Sequence, residues 1–268
     1  MTSEISLLYL QNVKGNCILS YLETSVVPIC RFNEGNGQAL IKSFHGTAFF
    51  INSSGGFITA RHVIEEGLQD VERNGGFLGL CAKPEDGSIG NIALPIQEFE
   101  FAESPFDITV GKAKYQCESY LQLSDIEVSM WREIATLGYP ESALNIKPDD
   151  FRIHLRGYKG YLLREIQKGD IALGEHPSSF ETNFLISRGL SGSPLFVPAQ
   201  PKCFVIGVCV GSHRSELVDY QFVETTEDGK EFKETRLRVE EYGIAHDIRP
   251  LLSWKLNMYN GKTLKEIS

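Results

Sequence analysis

The sequence has no Cys-x-x-Cys pair. Its six cysteines, Cys17, Cys30, Cys81, Cys117, Cys203 and Cys209, stand far apart, so the ligand spacing of a zinc site is missing and no metal or cofactor is expected. A chain of 268 residues can bury a core without covalent staples. Widely spaced cysteines in such a chain read as reduced thiols, and a cytoplasmic location is expected. No apolar run approaches the length of a membrane span. Met1-Thr2-Ser3-Glu4-Ile5 has neither a basic n-region nor an apolar h-region, so neither membrane contact nor a secretory leader is expected. Basic blocks are lacking too. Twenty-six Lys and Arg face 35 Asp and Glu, for a net charge of −9, which argues against nucleic acid as a partner. The nearest thing to a basic patch, Arg152 to Lys168 with Tyr158 and Tyr161 among its charges, is explained more simply as a solvated strand pair. Internal repeats and low-complexity tracts are absent.

What is present is a long series of short strand signals. Ile18 to Phe32 reads as extended. Ala39–Phe44 and Thr47–Ile51 read as strands broken by Gly46, and Asn52-Ser53-Ser54-Gly55-Gly56 turns the chain into Phe57-Ile58-Thr59. Val63 to Arg73 is the one clear helical pattern, with apolar residues at 63, 64, 68 and 71. Strand signals resume at Phe77–Cys81, Asn91–Leu94, Ile96–Phe101 and Ile108–Val110. After a polar connection over 112–130 they continue at Glu133–Gly138, Phe151–Leu155, Gly160–Ile166, Asn183–Ile186, Leu195–Val197 and Phe204–Val210. Asp228-Gly229, set between two alternating runs, marks a hairpin over 217–240. Gly243–Ala245 is a further strand, and Ile248 to Leu256 reads as a short closing helix. Many short strands with turns about every ten residues predict an all-β fold, barrel or sandwich.

Three places carry chemistry. Gly189-Leu190-Ser191-Gly192-Ser193-Pro194 frames a serine between two glycines, ahead of the apolar run Leu195-Phe196-Val197. A serine becomes a good nucleophile when a base removes its proton and backbone N–H groups receive the oxyanion. Glycines allow the backbone dihedrals and the close approach this needs. Thr59-Ala60-Arg61-His62-Val63 puts a histidine where a strand gives way to a helix, a rigid mount for a general base. Phe106-Asp107-Ile108-Thr109-Val110 sets a carboxylate at the head of an apolar strand, where an imidazolium would be a fitting partner. Each has a plainer reading: a surface turn, a satisfied histidine, a turn-capping aspartate. His45, His154, His176, His213 and His246 are given that plainer role.

The order His62, Asp107, Ser191 is the chain order of the chymotrypsin class. With it, the sequence resembles the trypsin-like, chymotrypsin-fold serine peptidases, most of all bacterial members without signal peptides that are distantly related to HtrA. The resemblance covers roughly residues 25–255. It rests on Gly46-Thr47-Ala48-Phe49-Phe50-Ile51, Phe57-Ile58-Thr59-Ala60-Arg61-His62, Phe106-Asp107-Ile108, Leu137-Gly138-Tyr139-Pro140, Gly189-Leu190-Ser191-Gly192-Ser193-Pro194 and Val205-Ile206-Gly207-Val208. It implies two six-stranded antiparallel β-barrels with a short C-terminal helix. The expected layout is an N-terminal extension over 1–17, a first barrel over 18–115, a connection over 116–130, a second barrel over 131–247 and a helix and tail over 248–268. It also implies an oxyanion hole from the N–H groups of Gly189 and Ser191, a substrate-pairing strand over Val208, Cys209, Val210 and Gly211, and Leu185 at the position that sets preference for the residue before the cleaved bond. Leu185 argues against a preference for Arg or Lys there. Ser193 is given no chemical role.

Two departures go together. Digestive members carry Asp where this chain has Leu190, and that Asp binds the N-terminus freed by zymogen cleavage. The Ile-Val-Gly-Gly sequence which cleavage would expose is also missing. The expected function is therefore a serine endopeptidase acting on a protein or peptide substrate without zymogen cleavage, and a regulatory protein partner is a further expectation. The competing expectation is a binding module on a peptidase fold whose triad is held silent, since fold alone does not give function.

Overall fold

A computed structural model describes residues 18–35, 38–84, 91–147, 150–170, 175–199, 203–225 and 228–268. The expected N-terminal extension, 1–17, lies outside them. The chain opens with helix α1 (Ile18–Ser25), then strands β1 (Val26–Gly35), β2 (Gln38–Phe50) and β3 (Gly56–Thr59), helix α2 (Arg61–Asn74), and strands β4 (Phe77–Ala82), β5 (Ile92–Phe101) and β6 (Thr109–Ala113). The six strands close into an antiparallel barrel in the order β1-β2-β3-β6-β5-β4. The run Ala48-Phe49-Phe50-Ile51 is wholly buried, as are Phe57 and Ile58 on the strand that returns from it. Each such side chain contributes about 1.5–3 kcal/mol.

The second half holds β7 (Gln122–Leu123), β8 (Glu133–Gly138), β9 (Leu144–Lys147), β10 (Asp150–Ile153), β11 (Arg156–Ile166), β12 (Ser179–Thr182), β13 (Pro194–Val197), β14 (Phe204–Thr225) and β15 (Glu231–Asp247). Its main sheet runs β13-β8-β11-β12-β15-β14-β7, and β13 also pairs with β14. That last pairing joins the strand run into a ring of six, with β7 attached outside it in parallel to β14. The all-β, two-barrel expectation thus matches the observed architecture. One apolar cluster draws on both halves, with Phe49, Ile58 and Val110 beside Phe196, Val205 and Val208.

Four local expectations are corrected. Ile18–Ser25 is helical rather than extended. Leu22 is buried, and the Thr24 and Ser25 hydroxyls donate back to Tyr21 O at 3.2 and 2.8 Å, the local bonding that lets Ser and Thr close a helix. β2 continues through Gly46, and the irregularity appears instead as two register shifts against β1, at Ile29/Cys30 and Arg31/Phe32, where His45 and Lys42 are the extra residues of β2. The strand expected at Asn183–Ile186 lies earlier, at Ser179–Thr182, where it pairs with β11 and β15. The closing helix is reduced to a 3₁₀ turn, Arg249–Ser253. It is followed by the short pair β16 (Lys255–Leu256) and β17 (Lys262–Thr263) and by helix α3 (Leu264–Ile267). Thr263 and Glu266 cap α3 reciprocally. Asn52 Nδ2 donates to Ile267 O at 2.9 Å, so the C-terminal segment returns to the first barrel.

α2 presents Val63, Ile64 and Gly67 to the barrel. Leu68, which the sequence pattern places on that face, is 41% exposed. The stripe facing the barrel steps by four, 63-67-71, with Val71 partly buried, and the Leu78 side chain on β4 fills the space beside Gly67, its Cδ1 2.5 Å from where a Cβ would stand. Further along, Asp70 ties α2 to the strands. It accepts from Arg31 Nε at 2.9 Å, from Asn74 Nδ2 at 2.7 Å and from the Ser43 hydroxyl, with His45 Nε2 at 3.1 Å. Burial pushes its pKa up, but the hydrogen bonds from Ser43, Asn74 and Arg31 and the Arg31 charge outweigh that and hold the carboxyl well below its usual range. Asp70→Ala, which leaves Arg31 without its carboxylate, is expected to destabilise the protein by about 3 kcal/mol in urea unfolding at pH 7. The depressed pKa means this stabilisation is present above the unfolded carboxylate value and fades as pH falls below it, so the gap to wild type should narrow in acid.

Candidate active site

The chain brings its three expected catalytic residues to the seam between the halves. His62 is the second residue of α2, after Arg61, which follows the buried pair Thr59-Ala60. Asp107 stands just before β6, which pairs with β3 at Thr59↔Thr109, so the carboxylate lies beside the start of the helix. Its two oxygens divide the work. Oδ1 accepts the His62 backbone N–H at 2.9 Å and Oδ2 faces His62 Nδ1 at 2.5 Å. This fixes the imidazole with Nδ1–H toward the carboxylate and Nε2 free to act as a base. Burial is the largest single effect on the His62 pKa and lowers it. The Asp107 hydrogen bond and charge, joined by Glu66 and Glu65, outweigh burial and leave the pKa above the ordinary histidine value.

A residue given a bland role also belongs here. His246, on β15, is 6% exposed, and its Nδ1 accepts the Asp107 backbone N–H at 3.1 Å. Its ring meets Phe106 edge-on, centroids 6.3 Å apart. Burial lowers its pKa to about 4, so it stays a neutral acceptor near pH 7. Nothing in the local sequence around His246 signals this; the contact spans 139 positions.

The Ser191 loop is held by the other barrel. Thr47 N–H donates to Ser191 O at 2.9 Å, and the Thr47 hydroxyl donates to Gly189 O at 2.8 Å. Gly189 and Gly192 have φ of 90° and 86°. A Cβ on Gly189 would meet Tyr139 O at 2.4 Å, and one on Gly192 would meet Thr47 O at 2.0 Å, so neither position admits a side chain. Leu190 is wholly buried. Arg188 O accepts the Glu141 N–H at 2.9 Å. A trans peptide sends its N–H opposite to its carbonyl, so the Gly189 N–H points away from Glu141. Among the described residues, neither the Gly189 nor the Ser191 N–H has a hydrogen-bond partner. Two open donors frame the serine. Ser193 is buried and fully occupied: its hydroxyl donates to Leu190 O at 2.6 Å and accepts from Thr136 at 3.0 Å.

The Ser191 hydroxyl donates to Val210 O at 3.3 Å and does not reach His62 within hydrogen-bond distance. Of the residues expected to pair with substrate, Val208 and Cys209 are wholly buried. The Cys209 N–H and carbonyl are committed to Ser193 O and Gly192 N, at 2.9 and 2.8 Å. The accessible edge therefore begins at Val210 and Gly211. Leu185 is 43% exposed, and the next residue, Ile186, is tied to the Ser212 hydroxyl through its N–H at 3.0 Å and its carbonyl at 3.2 Å. Asp125, a carboxylate on the connection between the halves, pairs with Lys265 at 2.7 Å.

No protein-family model matches this sequence, and no curated protein matches it. Solved structures do. The MamO protease domain from Magnetospirillum magneticum, in its apo form, is 12% identical with a TM-score of 0.51, over 88% of this chain and 97% of that one. A protease from M. tuberculosis in its active form is 15% identical with a TM-score of 0.52, over 90% and 81%. The HtrA-type protease AlgW, solved with a decapeptide, is 15% identical with a TM-score of 0.53, over 87% of this chain and 63% of that one. At such identities the likeness is one of fold, and the fold of this chain is that of the trypsin-like serine proteases of the HtrA type.

Proposed function

We propose that this chain is a serine endopeptidase. Ser191 Oγ attacks the peptide carbonyl while His62 Nε2 takes its proton, and the N–H groups of Gly189 and Ser191 receive the oxyanion. His62 then gives the proton to the leaving amine, and water repeats the sequence to release the acyl group. Asp107 holds the tautomer and balances the imidazolium. The observation that carries this reading is the His62–Asp107 pair, with both carboxylate oxygens engaged, beside a serine flanked by two unpartnered N–H groups.

Activity without zymogen cleavage belongs to the same proposal. Leu190 packs as an apolar anchor worth about 1.5–3 kcal/mol, and an ammonium placed against it would lack a partner. Thr47 and Glu141 hold the neighbouring carbonyls, so the loop needs no freed N-terminus to take shape. Among the described residues the buried thiols of Cys30, Cys81, Cys117, Cys203 and Cys209 form no disulfide, which supports a reducing, cytoplasmic setting.

A second reading, a silent binding module, is favoured by one observation: the Ser191 hydroxyl rests on Val210 O rather than on His62. Catalytic hydrogen bonds in unliganded enzymes are often loose and tighten with substrate. A fluorophosphonate separates the two readings. The full-length chain should be labelled, with a mass equal to chain plus probe, and Ser191→Ala should lose labelling and peptide cleavage with its melting curve nearly unchanged. Labelling only after a cut before Gly46 would mean a zymogen, and no labelling at all would favour the binding module.

Asp107→Asn should lower kcat by about 10⁴ at neutral pH, since it fixes the wrong tautomer. The raised His62 pKa sets a further expectation. The base is active only when neutral, so kcat/KM should climb with pH through a midpoint above the ordinary histidine value of 6.5. A midpoint below that value would show that Asp107 does not govern the base.

A further inference from the structure

β14 is a single strand of 22 residues whose surroundings change along its length. From Phe204 to Cys209 it is core, with β13 and then Ser193 and Gly192 on one flank and β15 on the other. At Val210, whose carbonyl receives the Ser191 hydroxyl, the first flank ends. From there outward, the backbone groups of β14 on that flank have no backbone partner among the described residues; the neighbouring main chain, at Ile186, is held by the Ser212 hydroxyl. The other flank stays paired with β15 as far as Thr225↔Glu231. An open edge therefore starts at the proposed nucleophile and continues along an arm that stands clear of the barrel. A register shift between Val218 and Tyr220 interrupts it. A second shift puts an extra residue at Val210, and the straight part from Gly211 to Val218 is about 26 Å long at roughly 3.3 Å per residue.

We infer that this whole edge, and not only its beginning, binds substrate: it takes an extended polypeptide segment of about eight residues on the N-terminal side of the cleaved bond. The inference rests on the endopeptidase reading, which already uses Val210 and Gly211; the continuation from His213 to Val218 is new. The direction follows from the chemistry. His62, which must protonate the leaving amine, belongs to the first barrel, so the leaving group departs toward that side. The acyl part of the substrate then lies along β14. β14 runs away from Ser191, while a substrate on the acyl side runs N to C toward it. The added strand is therefore antiparallel, the more stable pairing.

The composition of the edge fits an occupied one. Proteins protect bare edges with charged side chains, above all Lys, with Pro, with bulges or with a covering element; Val210-Gly211-Ser212-His213-Arg214-Ser215-Glu216-Leu217-Val218 contains neither Lys nor Pro, and its bulges lie only at its two ends. Near the serine it offers small residues. In the middle, Arg214 and Glu216 neutralise each other at 3.0 Å. At the far end, Leu217 and Val218 stand 48% and 61% exposed. Such an edge reads the main chain along most of its length and rewards apolar side chains at its outer end. A folded protein's surface loop cannot present so long an extended stretch, so the substrate class is unstructured polypeptide.

The test compares fluorogenic peptides that share one cleavage sequence and carry three or nine residues before the cleaved bond. The longer peptide should have a kcat/KM at least about tenfold higher, mostly through KM, and the same extension after the bond should add far less. In a strand paired on one flank only alternate N–H groups face the partner, so N-methylation of single residues five to eight places before the bond should cost the long peptide about fivefold or more at every second position and far less at the positions between. Replacing Glu216–Val239 with an Asn-Gly turn should bring the long-to-short ratio close to one. If that variant fails to fold, the N-methyl series on the full chain decides alone. A flat length dependence in a protein that fluorophosphonate still labels overturns the inference and leaves the endopeptidase reading intact; absence of labelling overturns both. A wild-type dimer that becomes monomeric on trimming, with no length dependence, would mean that a second copy occupies the edge, and the inference fails.

Discussion

Thr47 is the point on which the rest of the structure depends. It is wholly buried, and each of its polar groups is used. Its N–H holds Ser191 O, its hydroxyl donates to Gly189 O and accepts the Tyr139 N–H at 3.0 Å, and its carbonyl receives the Thr59 hydroxyl at 2.7 Å. Opposite it on β1 stands Pro28, which has no N–H to offer that carbonyl. Buried polar groups left unpaired are costly, so a strand of the first barrel and the serine loop of the second settle into place together. The glycines at 189 and 192 are the backbone counterpart of this arrangement, because a side chain at either would strike Tyr139 O or Thr47 O.

Around this junction the electrostatics are arranged in advance. Asp107 is fixed from both sides: it receives His62 through both its oxygens, while its own N–H is held by His246. Burial alone would lower the His62 pKa, and the Asp107 hydrogen bond and charge more than reverse that, which leaves an imidazole suited to carrying a proton for a short time. His246 is more deeply buried and faces neither carboxylate oxygen, so it stays an uncharged acceptor. Two histidines close to one carboxylate thus have opposite shifts, set by which of them faces its oxygens.

Much of this could be read in the sequence, and the limits have physical causes. The serine, histidine and aspartate were legible because their chemistry depends on residue type and local backbone: glycines on both sides of Ser191, a strand end at His62, the head of an apolar strand at Asp107. The barrel strands were legible because burial on both faces leaves apolar runs such as Ala48–Ile51. Thr47 and His246 were not assigned their roles, since their partners lie 142 and 139 positions away and no periodicity reports so distant a hydrogen bond. The sequence of α1 reads equally as a strand because a short apolar stretch fits either period, and Leu68 fits the inward face of α2 by spacing alone because how deeply the helix sits at Gly67 against Leu78 leaves no mark in that spacing. The length of β14 was underestimated, since its outer half looks like any charged hairpin until its open edge is traced back to Ser191.

The sharing of Thr47 has a practical consequence. The residues that would attack and stabilise the oxyanion lie on one side of the connection over 116–130, and the base, its carboxylate and the threonine that shapes the loop lie on the other. A chain divided within that connection would yield two fragments, each lacking what the other supplies. Their reunion would rebuild both the buried hydrogen-bond set and the chemistry, which makes this fold a natural basis for a split sensor whose output is covalent probe capture.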